Sequence, residues 1–273
     1  MSHILTNLSH PSLERAAEVM YQTAINELGH IMAARFYQTP EAMWFVKNPV
    51  GLSRVITTSF TADTPKSTID ATLKTIAASS EDAITWSIGP SLRSSRLEDR
   101  LHANGWPRTE DVRSMVLDLQ TLKMSAESPV ELTIELVNDK EAFKQHINVM
   151  AAGFEFPEPL ARHLSAIDYG ETFRFPTSRF YVGRVGGQAV AISLLQLSAG
   201  LAGIYNVATI PSMRQRGLGT AMTLAALLDA RDLGYRIAVL QASEMGVNIY
   251  RQLGFQDHFL FDTYSSSHPS QVG

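Results

Sequence analysis

Hydrophobic positions in the first half of the chain change between helix-like periods and strand-like runs. The apolar residues between Leu13 and Ala24 recur with a helical period, so a helix is predicted over residues 1–30. Further helices are expected over 69–78 and 97–104, and strands over 52–60, 83–88 and 115–119. This order of elements predicts a mixed α/β structure.

The second half repeats this alternation with more elements. Gly186-Gly187 lies between two apolar runs and predicts a hairpin turn. Asn138 or Asp139 is placed to cap a helix, and Gly234 to stop one. Strands are expected at 132–137, 180–185, 189–197, 201–208, 236–241 and 255–264, and helices at about 139–152, 160–167, 218–233 and 246–253. The second half therefore also predicts an α/β fold on a mixed sheet.

A short motif occurs once in each half and indicates an internal duplication. Arg100–Trp106 and Ile249–Phe255 both read as the end of a short helix, a glycine, and an aromatic residue that opens a strand. Because glycine after a helix is common, chance similarity is the alternative. The polar stretch Gln120–Pro129 is the best linker, so we predict two domains, residues 1–125 and 126–273.

Composition excludes several kinds of chemistry. The 273 residues contain no cysteine, which excludes disulfides, thiolate metal sites and thiol nucleophiles, and no metal site is predicted. The formal net charge of −4 argues against nucleic acid as a partner. No apolar stretch is long enough to span a bilayer, and the first residues lack the pattern of a signal peptide. We therefore expect a cytoplasmic protein without membrane association; the sequence leaves its oligomeric state open.

The stretch 204–220 carries the most informative chemistry. A predicted strand is followed by a turn with Pro211 and by Arg214-Gln-Arg-Gly-Leu-Gly219, which leads into a helix. The N–H groups at a helix N-terminus bind phosphate oxygens, and glycines let the backbone approach them closely. A dinucleotide fingerprint would need a third glycine at Met222, and a P-loop would need Gly-Lys-Ser/Thr. A helix entry rich in small residues is the structural alternative.

This loop resembles the pattern R/Q-x-x-G-x-G/A of the GNAT superfamily of N-acetyltransferases, in which it cradles the pyrophosphate of acetyl-CoA. The resemblance implies a GNAT fold in two tandem GNAT-like domains, with acetyl-CoA as co-substrate of the second domain. It is close over 179–264 and weaker over 132–178. The cofactor-binding residues that it implies are Val207, Ala208, Thr209, Arg214, Gln215, Arg216, Gly217, Leu218, Gly219, Thr220, Ser243 and Asn248.

A second motif follows the next predicted strand. The segments 243–250 and Gly254-Phe255 resemble the superfamily sequence Asn-x-x-Ala-x-x-Leu-Tyr-x-x-x-Gly-Phe, with Ser243 in place of asparagine and Gly246 in place of alanine. These two substitutions put identical cofactor contacts in doubt. The resemblance implies that Tyr250 is the general acid, whose phenol protonates or stabilises the departing thiolate. A tyrosine that only packs in the core is the alternative.

The general base is harder to identify from the sequence. Many members of the superfamily have a glutamate on the strand before the loop, but residues 203–207 read Gly-Ile-Tyr-Asn-Val. A water held by Tyr205 and Asn206 is one way to carry the proton. Side chains elsewhere that are candidate bases are Glu155, Glu158, Glu244, His146 and His163.

The first half of the chain lacks both the glycine-containing loop and the tyrosine. Its stretch Thr61–Thr68, between a predicted strand and a predicted helix, contains no glycine, and Leu101 stands at the position of Tyr250. We therefore expect a degenerate copy that binds no cofactor and covers the sheet of the second half or walls its substrate cleft.

The resemblance implies transfer of an acetyl group from acetyl-CoA to an amine on a small molecule or peptide, by direct attack. Two alternatives stay open: a non-catalytic acyl-CoA-binding or interaction protein, and an acyltransferase for a hydroxyl or a protein terminus. We expect the acceptor near the segment 153–176, although hydrophobic anchoring of an irregular loop explains its composition equally well. That segment mixes the aromatic residues Phe154, Phe156, Tyr169, Phe173 and Phe175 with the acids Glu155, Glu158, Asp168 and Glu171.

Overall fold

The computed structural model describes residues 4–47, 52–124, 132–169, 175–244 and 246–266. The predicted domain boundary at residue 125 lies outside these ranges, as do Glu171, Phe173 and half of the predicted linker, residues 125–129. The helices are α1 (Leu13–Ile31), α2 (Lys66–Ala77), α3 (Ser95–Ala103), α4 (Lys140–Gly153), α5 (Glu158–Ala166), α6 (Leu218–Asp232) and α7 (Val247–Leu253). The strands are β1 (Arg35–Gln38), β2 (Ala42–Val46), β3 (Arg54–Thr58), β4 (Thr85–Ile88), β5 (Arg108–Asp118), β6 (Leu132–Leu136), β7 (Ser178–Val185), β8 (Gln188–Ser198), β9 (Leu201–Thr209), β10 (Ile237–Ala242) and β11 (Gln256–Ser265).

The chain forms two compact units that do not follow chain order. The larger unit contains Met1–Met20 and Ser114–His258, and the smaller unit contains Tyr21–Arg113 and Phe259–Gly273. The division falls within α1, β5 and β11. Most of the last strand of the chain therefore belongs to the unit that the first half of the chain mainly builds.

In the larger unit the strand order is β5-β10-β9-β8-β7-β6. Neighbours from β6 to β9 are antiparallel, whereas β9 and β10 are parallel. The hairpin from β7 to β8 turns at Gly186 and Gly187, whose φ angles are 58° and 81°. Positive φ at both turn residues is what a tight hairpin with right-handed strand twist requires, as the Gly-Gly pair predicts.

Helices cover both faces of this sheet. On one face, the Ser193 hydroxyl of β8 donates to the carbonyl oxygen of Met222 in α6, at 3.1 Å. On the other face, Phe143 of α4 packs edge-on against Phe180 of β7, with ring centroids 5.1 Å apart. Because strand residues alternate between faces, a strand covered on both sides reads as a continuous apolar run. Residues 190–195 of β8 accordingly are all buried.

In the smaller unit the strand order is β1-β2-β3-β4-β11-β5. β3 and β4 are parallel, and β11 is antiparallel to β4. Its core contains Trp86, Leu101 and Trp106. The carboxylate of Asp262 in β11, which is buried, pairs with Arg93 at 2.6 Å and with Arg108 at 2.7 Å. This pair of contacts ties β11 to the segment after β4 and to β5.

Some predicted bounds differ from the structure. α1 begins at Leu13, after a turn in which the Leu13 amide donates to His10, and not at residue 1. β5 begins at Arg108, seven positions before the predicted 115, because its first residues are polar and exposed and show no apolar pattern. β1 and β2 were not expected. Each is short, and the Thr39 side chain between them accepts from the backbone of the next strand. Within the described ranges, no helix has both the length and the apolar character needed to cross a membrane.

Candidate functional site

The two sequence motifs of the second half lie at the same end of two neighbouring strands, in the sheet of the larger unit. The loop of residues 210–217, named the phosphate loop here for its predicted role, follows the end of β9, and α7 follows the end of β10. Since β9 and β10 are parallel, both connections start at the carboxyl ends of the strands and so lie at the same end of the sheet. The register pairs Ala202 with Ala238 and Gly203 with Val239, and both strands continue beyond these pairs. The end of β9, residues 205–209, therefore extends past this ladder.

β9 bends at Asn206, which has a φ of +49°. Tyr205 pairs with Leu194 of β8 and Ala208 pairs with Ile192, so two residues of β9 stand opposite one residue of β8. This is a β-bulge, which turns the strand and takes its backbone groups out of the regular ladder. The bulge lies immediately before the strand end that the sequence assigned to the cofactor.

The loop after β9 ends at the N-terminus of α6, where the N-cap residue is a glycine. Gly217 is the N-cap of α6, with φ 75° and ψ 0°, a left-handed conformation that favours glycine. No side chain caps this helix end in the described part of the chain. Because the first N–H groups of a helix lack intrahelical partners, those of α6 are open to an external acceptor.

Gly219 has room around it. A Cβ built at this position meets only Cγ1 of Val207, at 3.9 Å, which is ordinary van der Waals contact. The protein's own packing therefore gives no reason for glycine at 219. Close approach of a ligand to the backbone does give one.

The two arginines of the loop have different surroundings. The Nε and Nη2 groups of Arg214 donate to the carbonyl oxygens of Thr209 (3.3 Å) and Gly153 (2.7 Å), and its Nη1 lies 3.6 Å from the Glu155 carboxylate. Arg216 makes one long contact, 3.5 Å, to a carbonyl oxygen within the loop. Both were expected to face a bound anion. Arg216 is open to one, while Arg214 is engaged with the protein.

Tyr250 is partly buried at the edge of the core. Its ring contacts Phe255 edge-on, with centroids 5.9 Å apart, and also lies against Gly246, where an added Cβ would be 2.8 Å from Cε2. Burial raises the pKa of the Tyr250 phenol, so the group keeps its proton at neutral pH. The absence of a side chain at 246 thus makes room for the tyrosine ring.

The other predicted cofactor residues around α7 are placed as follows. The Ser243 hydroxyl and carbonyl oxygens both accept from the amide of Gly246, at 3.3 and 2.9 Å, and so stabilise the turn before α7. Asn248 is exposed on α7. Val207 is partly buried and packs against the core of the larger unit.

The candidate bases are scattered. His146 is fully buried on α4, its Nδ1 lies 3.1 Å from the carbonyl oxygen of Tyr181, and burial lowers its pKa to about 4. It is therefore a core residue and a poor base. Glu244 and His163 are exposed, and Glu158 pairs with Arg162 at 3.2 Å along α5. Glu155 has a contact with Arg214 of the phosphate loop.

The aromatic residues expected near the acceptor divide into two groups. Tyr169 packs against Phe143 at 5.0 Å and Phe175 against Phe180 at 6.0 Å, so these two anchor their segment to the core. Phe154 and Phe156 stack on each other with centroids 6.0 Å apart, and Phe154 is 46% exposed. Among the described aromatic residues of this set, Phe154 is the exposed one, and the other three are partly buried.

The corresponding loop of the smaller unit has the opposite polarity. Arg96 of α3 donates to the carbonyl oxygens of Ala62 and Thr64, which lie between β3 and α2. This loop thus directs carbonyl oxygens at a cation, where a phosphate site directs N–H groups at an anion. Leu101, at the position of Tyr250, is fully buried.

Comparison with known proteins agrees with this geometry. A family model described as an acetyltransferase (GNAT) domain matches residues 137–257. No curated protein matches the chain. Solved structures that resemble it include a GCN5-related N-acetyltransferase from Kribbella flavida, with a TM-score of 0.64 and 17% identity over 92% of this chain and 97% of that one.

Two further structures resemble the chain over nearly its whole length. A GCN5-related N-acetyltransferase from Sphaerobacter thermophilus has a TM-score of 0.59 and 16% identity, with 97% of this chain and 95% of that chain covered. A tandem GNAT protein from the clavulanic acid biosynthesis pathway has a TM-score of 0.59 and 12% identity, with coverage of 97% and 98%. At these identities the likeness shows the fold. The chain therefore carries a GNAT acetyltransferase domain at residues 137–257 and has the mixed α/β fold of GNAT N-acetyltransferases along nearly its whole length.

Proposed function

We propose that this chain is an acetyl-CoA-dependent N-acetyltransferase that acetylates a primary amine. The observation that carries the proposal is the uncapped N-terminus of α6, which begins at Gly217 in the left-handed conformation and has open space at Gly219. The GNAT domain match over 137–257 supports an acyltransferase. The loop chemistry supports a phosphate-bearing acyl donor.

The residues present fit acetyl-CoA. The backbone N–H groups of 217–220 and the guanidinium of Arg216 would hold the pyrophosphate. The end of β9, from Val207 to Thr209, extends beyond its ladder with β10 and would pair with the amides of the pantetheine arm. Acetyl-CoA supplies the acetyl group as an activated thioester.

The chain's own groups would orient and protonate the reacting atoms. A backbone N–H near Val207, just after the bulge, would donate to the thioester carbonyl oxygen as negative charge develops there. Tyr250 would give its phenol proton to the leaving sulfur, and its raised pKa keeps that proton available at neutral pH. Because β9 has no carboxylate, the amine proton would pass to a water held beside Asn206.

A second reading has two observations in its favour. The β9 residues 203–207 include no acid, and the candidate base His146 is buried, which suits a protein that binds acyl-CoA without turning it over. The same site acting on a hydroxyl or a protein terminus is a third reading.

One pair of measurements separates these readings. Calorimetric titration with coenzyme A tests the phosphate loop, and release of free thiol from acetyl-CoA tests turnover with a panel of small amines, peptides and alcohols. Thiol release with a small-molecule amine or a peptide side-chain amine supports the proposal. Tight binding without thiol release from any acceptor supports the binding protein, release with alcohols or peptide termini alone supports the third reading, and a lack of binding contradicts the site itself.

A further inference from the structure

The turn between α4 and α5 adopts a backbone conformation that its sequence does not favour. Glu155 has a φ of +53°, in the left-handed region that side-chain-bearing residues rarely adopt. The amide of Phe156 donates to Ala151 at 2.9 Å, and the amide of Glu155 donates to Ala152 at 3.2 Å. These bonds close the end of α4. The left-handed conformation of Glu155 is still unfavourable in free energy, so other contacts must stabilise it.

This turn lies directly against the end of β9. A Cβ added to Gly153 would be 2.8 Å from the Cβ of Ala208 and 3.4 Å from the backbone nitrogen and oxygen of Thr209. The end of α4 therefore touches the strand end that leads into the phosphate loop. Glycine at 153 permits this close approach.

Arg214 connects the turn to the loop. Its guanidinium bonds the carbonyl oxygen of Gly153 at 2.7 Å and that of Thr209 at 3.3 Å. The Gly153 carbonyl belongs to the last turn of α4, where carbonyl oxygens lack intrahelical donors and favour a cation. The ion pair with Glu155 is largely exposed, with 38% and 66% of the two side chains accessible, so it contributes little. The two carbonyl bonds are the main connection.

We propose that Arg214 is a positioning residue that fastens the turn 153–157 to the phosphate loop, so that cofactor binding at the loop also fixes the turn. This inference rests on the proposed function of the loop and assigns Arg214 a role other than that of a phosphate ligand. The turn carries the stacked and partly exposed pair Phe154 and Phe156. Binding of the acetyl donor thereby sets the shape of an aromatic surface beside the reacting end of β9.

The test compares Arg214→Met with Arg216→Met, a matched control from the same loop that lacks the contacts to Gly153 and Thr209. Hydrogen exchange is followed in peptides that cover 151–160, with and without coenzyme A, and affinity is measured by calorimetry. In the wild type, coenzyme A slows exchange in this turn. Arg214→Met speeds exchange there about tenfold even without coenzyme A, removes the effect of coenzyme A on the turn, and changes affinity by about threefold or less.

Arg216→Met is expected to give the opposite pattern. It lowers affinity about tenfold, because a charge near the phosphates is lost, while bound coenzyme A still slows exchange in the turn. Arg214→Lys falls between, since one ammonium cannot reach both carbonyl oxygens as the guanidinium does. Circular dichroism checks that each variant is folded.

Two results would overturn the assignment. One is unchanged exchange in 151–160 for folded Arg214→Met and Arg214→Lys. The other is a loss of coenzyme A affinity in Arg214→Met as large as that in Arg216→Met, with the turn unaffected. If the wild type binds no coenzyme A, the proposed function fails, but the exchange rates without ligand still decide whether Arg214 holds the turn.

Discussion

The backbone N–H of Phe255 donates a hydrogen bond of 3.0 Å to the carbonyl oxygen of Tyr250. In the smaller unit Trp106 makes the equivalent bond to Leu101, at 2.9 Å. In both segments the glycine before the aromatic residue has a positive φ, 104° and 74° respectively. The paired sequence motifs thus correspond to the same helix-ending turn. What differs is the side chain at the turn's acceptor position, a phenol in one unit and a buried leucine in the other.

Replacing Gly219 with valine should abolish coenzyme A binding and leave the fold intact. The space around Gly219 accepts a side chain, and valine has a higher helix propensity than glycine, so thermal stability should stay level or rise slightly. A branched side chain at the first turn of α6 would instead occupy the place of the phosphate. Calorimetry on the folded variant checks this, and wild-type affinity would show that the loop binds no phosphate.

Replacing Tyr250 with phenylalanine should lower kcat about 100-fold and change the KM for acetyl-CoA by about threefold or less, because the proton is needed when the thiolate leaves. Burial raises the pKa of this phenol, so it loses its proton only at a higher pH than an ordinary tyrosine does. The wild-type rate should therefore show no loss from Tyr250 up to about pH 9. A variant with the wild-type rate would make Tyr250 a packing residue.

The sequence predicted local features well where one residue type has a specific backbone or capping role. Asp139 caps α4 by accepting from the amide of Ala142 at 2.8 Å, and Gly234 follows α6 with a φ of 89°. It could not predict the bulge at Asn206, because a positive φ at a non-glycine residue is imposed by the neighbouring strands. The short strands β1 and β2 were missed for a related reason, since four or five residues carry too little periodicity.

The sequence predicted that the loop 210–217 follows a strand and leads into a helix, as β9 and α6 show, but it did not predict the contacts of the loop's arginines. Arg214 bonds the carbonyl oxygen of Gly153, which lies 61 residues away in sequence, and no local pattern reports such a contact. The exclusion of His146 as a base also needed the structure, because burial of a histidine on α4 depends on the sheet it covers. The cofactor roles of the loop residues and the catalytic role of Tyr250 stay predictions.

Alanine at position 246, the residue usual in the superfamily, should impair this protein. Its Cβ would lie 2.8 Å from Cε2 of Tyr250, so the ring must move. We expect Gly246→Ala to lower kcat about fivefold, since overpacking of this size shifts side chains at a cost of about 1 kcal/mol or more. In a Tyr250→Phe background the same change should have no further effect on kcat, because the phenol it displaces is already absent. If Gly246→Ala lowers kcat equally in both backgrounds, its effect does not act through the Tyr250 phenol.

Stability should fall as the solution becomes mildly acidic, because of His146. Burial lowers its folded pKa to about 4, below the ordinary 6.5, so the folded state disfavours the charged imidazole. The stability tied to the neutral form is complete above the unfolded pKa and is lost as pH falls from 6.5 towards 4. Between about pH 7 and pH 5 this loss amounts to about 2 kcal/mol.

His146→Asn provides the comparison for that pH dependence. Its amide can still donate to the carbonyl oxygen of Tyr181 but does not titrate, so the variant should lose less stability over the same range. Urea unfolding at both pH values measures the difference. Parallel pH profiles for the wild type and the variant would show that other groups cause the acid loss.

One coenzyme A should bind per chain, and none in the smaller unit. There the loop between β3 and α2 directs the carbonyl oxygens of Ala62 and Thr64 at Arg96, so an incoming phosphate would meet acceptors where it needs donors. The guanidinium is already held by those oxygens. Titration calorimetry should therefore give a stoichiometry of one, and Gly219→Val should remove all binding. Because Arg96→Ala would free the carbonyl oxygens without adding donors, it should create no second site; an added equivalent of coenzyme A, in that variant or in Gly219→Val, would contradict the assignment.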